Sequence, residues 1–353
     1  MSRNLLLFVI VLILTNLYPL FAFAQPAQSY TAKNGAICGL NTGRYNNRPL
    51  YINNTNAFIL AGDQPVARLA KDQFLYGTFM AGIKRNEKTI WLQNCRQILS
   101  LYTSGAMKWE VSDPDFTGLK VVLEILPMAS STGMVVRTMA EGSNQGDSLI
   151  WAFGGARWYE KKNLSWKFDI MGQPELLDWG FVPEDCLDNR VMIKGNNFQV
   201  SLADVVNHKN HFNVAGSCSM NGVAAVGNAA GWNGLEGFSS SGTQDLPLLN
   251  GKIPLENGKS VFWAFHAFNA GENVDPEKVK NPDIVFEAGK KRTESFKERL
   301  KINTPDPYLD AIAQASVAAV DGTWYPPVFV HGAMQWNNRF PGWRTIFGGT
   351  MYG

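Results

Sequence analysis

The sequence predicts a mainly β protein: one large antiparallel β-sandwich, followed by helices. Short apolar runs rich in β-branched and aromatic residues recur between Gly, Asn, Asp and Pro from about residue 50 to residue 270. No helical periodicity interrupts them, and the 33 Gly and 17 Pro are typical of a turn-rich folded chain. Because so many strands cannot remain in one flat open sheet, we expect two large sheets packed face to face.

The predicted strands are the apolar runs at 57–60, 74–83, 89–92, 98–102, 107–111, 119–126, 134–139, 149–153, 190–193, 198–202 and 261–268. Hairpin turns are predicted at Asn196-Asn197 and at Asn257-Gly258, because these residue types tolerate the backbone conformations of tight turns. We therefore assign residues 25–275 to the β-sandwich domain.

A linker helix is predicted within residues 276–303. Asn281 offers an N-cap, Pro282 suits the first helical position, and Asp283 places an acid in the first turn. Charges of both signs follow at helical spacing, which indicates a solvated face and leaves a thin apolar stripe. A binding patch is the alternative interpretation of these charges.

A second helix is predicted from the sequence Thr304-Pro305-Asp306-Pro307 onward. Its larger apolar residues fall at helical spacing and predict one buried face: Leu309, Ile312, Ala313, Val317 and Val320. Four alanines form a second smooth flank: Ala311, Ala315, Ala318 and Ala319. A helix with two such faces is typical of a helical domain. We expect residues 304–353 to begin that domain and the chain to be the N-terminal part of a longer protein.

Residues 1–24 are predicted to be a signal peptide. Arg3 precedes an apolar run at 5–14, and a small-x-small cleavage site ends at Ala24. A retained membrane anchor is the alternative, but three residues interrupt the run before it could span a bilayer: Thr15, Asn16 and Pro19. We therefore expect a periplasmic or secreted protein without stable membrane insertion after leader cleavage.

The net charge argues against one class of partner, and the cysteines allow two interpretations. The formal net charge of +2 is too small to attract a phosphate backbone, so nucleic acid is not an expected partner. Export permits disulfides, and three pairings are possible among the four cysteines Cys38, Cys95, Cys186 and Cys218. Buried free thiols are the equally weighted alternative.

Residues 322–353 contain the candidate binding site. Eight of these 32 residues are aromatic, and Asp and Glu are absent. Aromatic faces stack on sugar rings and planar polar side chains bind hydroxyl groups, so a polysaccharide or oligosaccharide is the predicted ligand. The candidate substrate-binding residues are Trp324, His331, Trp336, Arg339, Trp343 and Arg344. The alternative is that these aromatic residues belong to the core.

Other possible sites are weaker. Four carboxylates lie near aromatic residues, and each is interpreted as a strand-end or turn residue: Asp178, Glu184, Asp185 and Glu236. His208 and His211, with Cys218 beyond, superficially suggest zinc, but exposed loop histidines are the favoured interpretation. We predict neither a metal nor a cofactor, and the catalytic residues remain unknown.

Two motifs carry a family resemblance: Asn41-Thr-Gly-Arg-Tyr-Asn-Asn-Arg-Pro-Leu-Tyr51 and Gly322-Thr-Trp-Tyr-Pro-Pro-Val-Phe-Val-His-Gly-Ala-Met-Gln-Trp336. They resemble an exported Bacteroidota family with domain of unknown function 4450. The order of leader, sandwich, linker helix and helical domain resembles the N-terminal part of six-hairpin glycosidases. That resemblance implies a supersandwich followed by the start of an α/α-toroid, with 322–353 lining a sugar pocket. It places the catalytic carboxylates beyond Gly353.

Two functions follow as hypotheses. In the first, the chain is the N-terminal portion of an exported glycoside hydrolase-like protein of polysaccharide metabolism. In the second, it is a non-catalytic carbohydrate-binding or structural β-sandwich module. Continuation of the reading frame into a large domain with carboxylates at helix ends would favour the enzyme.

Overall fold

A computed structural model describes residues 30–43, 48–52, 57–71, 74–158, 181–202, 212–221, 223–231, 245–269, 272, 275–329 and 348–350. Strands β1 to β7 are Tyr30–Lys33, Ala36–Leu40, Arg48–Ile52, Ala57–Ala61, Val66–Lys71, Phe74–Arg85 and Lys88–Trp91. Strands β8 to β13 are Gln97–Thr103, Ala106–Ser112, Lys120–Pro127, Gly133–Glu141, Ser148–Gly154 and Arg157–Trp158. Strands β14 to β21 are Asn189–Lys194, Asn197–Leu202, Phe212–Cys218, Ala224–Asn228, Pro247–Pro254, Ser260–Asn269, Trp324–Tyr325 and Val328–Phe329. Helix α1 is Pro282–Arg299 and helix α2 is Pro307–Gly322.

Two large antiparallel sheets form the body of the protein. Sheet A has ten strands in the order β1-β2-β8-β9-β10-β11-β19-β16-β15-β14. Sheet B follows the order β17-β18-β12-β6-β5-β4-β3, and β7 and β13 also pair with β6. The predicted mainly β sandwich is confirmed, and each of the eleven predicted strands coincides with an observed one.

The core lies between the two sheets because inward and outward residues alternate along the strands. In β9, Met107, Trp109 and Val111 are fully buried in this core. Aromatic rings from both sheets meet at its centre, where the ring centroids of Phe79 and Trp263 are 5.5 Å apart. Each such side chain contributes about 1.5–3 kcal/mol on burial, so the core holds the sheets together and fixes their register.

Helix α1 packs on the outer face of sheet A. Phe286 and Phe296 are buried, and Phe286 packs in a cluster with Leu126 of β10, Val135 of β11 and Ala264 of β19. The helix begins at Pro282 as predicted, but the Asn281 side chain makes no capping hydrogen bond. The predicted linker helix is therefore an anchored layer of the fold that keeps a charged outer face.

Helix α2 lies along both edge strands at one side of the sandwich, contacting β1 of sheet A and β3 of sheet B. Its N-cap is Asp306, whose carboxylate accepts a hydrogen bond of 2.8 Å from the Tyr308 amide. The Tyr308 hydroxyl donates a bond of 2.9 Å to the backbone oxygen of Tyr30. These contacts cover backbone edges that would otherwise stay open.

Helix α2 buries only part of the predicted apolar face, together with part of the predicted alanine flank. Leu309 and Ile312 are each 53% exposed, whereas the alanine flank at Ala311 and Ala318 is buried together with Val317. A Cβ atom placed on Gly105 would lie 3.3 Å from the Cβ of Ala318. At the β8–β9 turn the helix lies too close for a large side chain in place of Ala318, so the alanine flank packs there.

Two predicted hairpin turns need correction. Asn257-Gly258 joins β18 to β19, which belong to different sheets, so it is a crossover between the layers. The β14–β15 hairpin turns at Gly195-Asn196, one residue before the predicted position, because Asn197 already pairs with Lys194. Gly195 supplies a φ of +65° in this turn.

All four cysteines are free thiols; Cys95, Cys186 and Cys218 are buried and Cys38 is half-buried, so the buried-thiol alternative holds for three of the four. Burial raises the pKa of Cys95 and of Cys186 to about 12 and that of Cys218 to about 11. These protonated thiols act as small apolar side chains. Among the described residues, no helix is long and apolar enough to cross a membrane.

Candidate functional site

A small aromatic hairpin follows α2 directly. Strands β20 and β21 pair Trp324 with Phe329, and the turn between them contains a cis peptide bond at Pro326-Pro327. The ring centroids of Trp324 and Phe329 are 4.8 Å apart, with an angle of 52° between the planes. Both side chains are only half-buried. The predicted site therefore begins with a partly accessible indole on a short hydrogen-bonded element.

Trp324 is the predicted site residue that the structure describes. The other five lie outside the described residues: His331, Trp336, Arg339, Trp343 and Arg344.

The hairpin is held at both ends by close backbone approaches. A Cβ atom added to Gly322 would lie 2.1 Å from the Cβ of Tyr51, so the last turn of α2 rests directly on the Tyr51 side chain. A Cβ atom added to Gly349 would lie 2.2 Å from the Phe329 ring. Between the hairpin and α2, the Thr323 amide donates to the backbone oxygens of Ala319 and Val320, each at 3.1 Å.

The fold brings the two family-like motifs together. Tyr51 closes the first motif and Gly322 opens the second, and these two residues are in contact. Asn41 is held by β8, because its side-chain oxygen accepts a bond of 2.7 Å from the Ile98 amide. The described parts of the two motifs thus meet at one corner of the sandwich, where β3 contacts α2.

A buried aspartate organises this corner. The carboxylate of Asp63 accepts hydrogen bonds from the hydroxyls of Tyr30, Thr42 (2.9 Å) and Ser100 (3.0 Å) and from the guanidinium of Arg48. Burial, followed by the bond to Asp63, raises the pKa of the Tyr30 hydroxyl. Four donors from both sheets surround this carboxylate, so it anchors the motif structurally.

Arginine also pairs with each of the other aspartates buried in the described ranges. Asp113 pairs with Arg96, Asp147 with Arg85, and Asp185 with Arg68 and Arg157. The guanidinium groups hold the pKa values of Asp113 and Asp147 below the usual range. A glycosidase general acid needs a raised pKa, so these two carboxylates are suited to stabilising the fold.

The carboxylates weighed from sequence are placed as follows. Asp185 and Glu184 lie in a one-turn 3-10 helix, Pro183–Cys186, which confirms the turn interpretation. Asp185 is buried, whereas Glu184 is exposed. Asp178 and Glu236 lie outside the described residues, as do His208 and His211. In the described part of the chain, His, Cys, Asp and Glu form no group that could hold a metal ion.

A buried histidine went unnoticed in the sequence. His266 on β19 is 6% exposed, and its Nδ1 atom is 3.0 Å from the Thr132 backbone oxygen. Burial lowers its pKa from the usual value of 6.5. Its ring stacks on Phe268 at a centroid distance of 6.0 Å. An apolar strand with one histidine gives no sequence signal for such a titratable position.

The family model described as domain of unknown function (DUF4450) matches residues 74–325. The match runs from β6 to β20, so it includes both helices and Trp324, whereas the motif at 41–51 precedes it. No curated protein matches the chain in sequence.

Solved structures of three carbohydrate-active proteins resemble the chain. A bacterial glucoamylase complexed with acarbose is 10% identical, with a TM-score of 0.48 over 87% of this chain and 45% of that chain. A protein from the human microbiome assigned as a kojibiose phosphorylase is 9% identical, with a TM-score of 0.44 over 84% and 39%. A family GH92 inverting mannosidase from Bacteroides thetaiotaomicron is 10% identical, with a TM-score of 0.42 over 80% and 37%. The chain spans less than half the length of each of these structures.

Proposed function

The chain belongs to the DUF4450 family, and we propose that it acts as the N-terminal portion of an exported glycoside hydrolase-like protein. In this proposal the segment 322–353 forms one wall of a pocket for a polysaccharide or oligosaccharide. The observation that carries it is the hairpin at the start of this segment, which holds a half-buried Trp324 at the junction of sandwich and helix α2.

The chemistry of the hairpin supports a sugar ligand. The Phe329 ring packs against the Trp324 indole, with 4.8 Å between the ring centroids, and this limits the orientations that the indole can take. A rigid aromatic face can stack on the apolar face of a sugar ring with little loss of conformational freedom. The sequence that follows contains Arg, Asn and Gln side chains without any Asp or Glu, and these groups can bind sugar hydroxyls.

The buried aspartates of this chain are suited to holding the fold together, which leaves the catalytic groups to another part of the proposed protein. Asp63, Asp113, Asp147 and Asp185, the buried aspartates of the described part, are each bound to arginine. We therefore propose that the sandwich stabilises and shapes the pocket wall, and that the acid and base come from another part of the protein. The same observation favours a second candidate, a carbohydrate-binding module without catalysis of its own.

The test is to measure sugar release and binding with the mature chain and with the full-length parent protein. Starch, yeast mannan, laminarin and a panel of plant and host polysaccharides serve as probes. Release by the parent alone would support the enzyme, and binding without release by either would support the module. Release by the mature chain alone would contradict the proposal that the acid and base come from another part of the protein.

Trp324→Ala tests the site itself. Loss of one stacking face should weaken binding by about 1–3 kcal/mol, which corresponds to roughly 5- to 150-fold. Leu309→Ala is the control, because Leu309 is a 53% exposed apolar residue at the opposite end of α2. Equal affinities for both variants and the unmodified protein would refute a binding role for Trp324.

A further inference from the structure

Resting on the proposed function, we propose that Tyr51 is a positioning residue for the sugar-binding hairpin. Its side chain sets where helix α2 ends and thereby fixes the Trp324 indole. Tyr51 belongs to the sandwich, far from Trp324 in sequence, and acts through Gly322.

The contact between Tyr51 and Gly322 is unusually close. A Cβ atom on Gly322 would lie 2.1 Å from the Tyr51 Cβ atom, 2.2 Å from Cγ and 2.8 Å from Cδ2. Real Cβ atoms do not approach other carbon atoms to such distances, so the helix backbone fits against Tyr51 only because residue 322 has no side chain.

Backbone conformation gives no other reason for glycine at this position. Gly322 is the last residue of α2, and its φ lies outside the left-handed region. Alanine is the best helix former and glycine is among the poorest. The backbone conformation therefore does not require glycine here, and the close approach to Tyr51 accounts for it.

Tyr51 is itself firmly placed. Burial raises the pKa of its hydroxyl, and the ring packs in a cluster with Phe58, Leu60 and Ala70 of β4 and β5. Tyr51 also pairs directly with Phe58 across the β3–β4 ladder. The side chain that meets α2 is thus fixed by the sandwich, which makes it a rigid stop.

Only one residue separates this contact from the site. Thr323 is 5% exposed and its hydroxyl donates a bond of 2.9 Å to the Val320 backbone oxygen, so it continues the helix end as a fixed link. Trp324 follows, paired with Phe329. A shift of α2 at Gly322 therefore moves the indole as well, and binding surfaces lose affinity when a supporting contact lets them shift by about 1 Å.

The test combines a reporter on Trp324 with glycan binding. The protein is labelled with 5-fluorotryptophan, and its Trp324 signal in ¹⁹F NMR is assigned by its absence in Trp324→Phe. Tyr51→Ala and Gly322→Ala should shift or broaden this signal and weaken binding to the best glycan of the panel about tenfold. Tyr51→Phe keeps the ring and should leave both readouts unchanged. Ser316→Ala is the control for a change on α2 away from Tyr51.

The outcomes distinguish failure of the positioning role of Tyr51 from failure of the proposed function. An unchanged Trp324 signal in both Tyr51→Ala and Gly322→Ala would overturn the proposal. Unfolding of the whole protein in both variants would also overturn it, because Tyr51 would then be a determinant of the fold. If the unmodified protein binds no glycan, the proposed function fails, while the Trp324 signal still decides whether Tyr51 positions the hairpin.

Discussion

Asp185→Asn should destabilise the protein strongly, because Asp185 is the buried anion between two arginines. Its carboxylate is 0% exposed and lies 3.2 Å from Arg68, which is 4% exposed, and 2.9 Å from Arg157, which is 47% exposed. Arg68 also donates a bond of 3.1 Å to Thr78 on the neighbouring strand, so its position is fixed. The variant removes the negative charge and keeps the side-chain shape.

The magnitude follows from the burial of the pair. Two unit charges 3.2 Å apart attract by about 5 kcal/mol at an effective dielectric constant of about 20. Removing one member of a buried pair typically costs 3–5 kcal/mol, since the other charge stays in a poorly solvated place. We expect a loss of about 3–4 kcal/mol, with a small share from Arg157 because solvent screens that pair. This is a large part of the stability of an ordinary domain, about 5–15 kcal/mol.

The assay is urea denaturation at pH 7, followed by tryptophan fluorescence. Glu184→Gln is the matched control, because the neighbouring Glu184 is exposed and its change should stay within about 0.5 kcal/mol. Adding Arg68→Met to Asp185→Asn should recover much of the loss, since an apolar side chain needs no counter-charge. Equal stabilities of Asp185→Asn and Glu184→Gln would refute the anchoring role.

Two further predictions concern stability. The free energy of unfolding should fall in two steps as the pH decreases in a urea denaturation series. The first begins near pH 6.5, because burial holds the pKa of His266 below its unfolded value, and His266→Gln should remove it. The second begins near pH 4, because Arg96 and Arg85 depress the pKa values of Asp113 and Asp147, whose stabilising effect disappears once they are protonated. Asp321→Asn should cost about 1–3 kcal/mol and speed proteolysis between α1 and α2, because Asp321 accepts bonds from Arg292 at 2.6 Å and from Arg299 at 3.3 Å. Glu298→Gln, at a 70% exposed position, should leave both measurements unchanged.

The sequence carried most of the sheet information, because strands that bury β-branched and aromatic residues have a visible pattern. The sequence pattern missed strands whose formation depends on pairing with neighbouring strands. Phe212–Cys218 contains Asn, Ala, Gly and Ser, yet it forms β16 because β15 and β19 lie on either side of it. Pro247–Pro254 begins and ends with proline, which conceals β18. The prediction that Leu309 and Ile312 are buried was wrong for a related reason, since the spacing of apolar residues on a helix does not show which side of it packs against the sandwich.

The candidate site was predictable only in part. The aromatic composition of 322–353 identified Trp324, which lies on the hairpin after α2. The supporting residues gave no local signal. Asp63 stands in a polar turn sequence, and its donors Arg48 and Ser100 are 15 and 37 residues away. Gly322 resembles an ordinary helix end, and only the fold shows that Tyr51 requires it.

The position of α2 also has a consequence for how the protein is made. The edge strands β1 and β3 are among the first elements to leave the ribosome, whereas α2, which lies along both of them, is synthesised after all the other strands of the two sheets. An uncovered strand edge is a template for pairing with another chain. The nascent protein therefore passes through an interval in which aggregation competes with completion of the fold, and this interval ends when α2 docks.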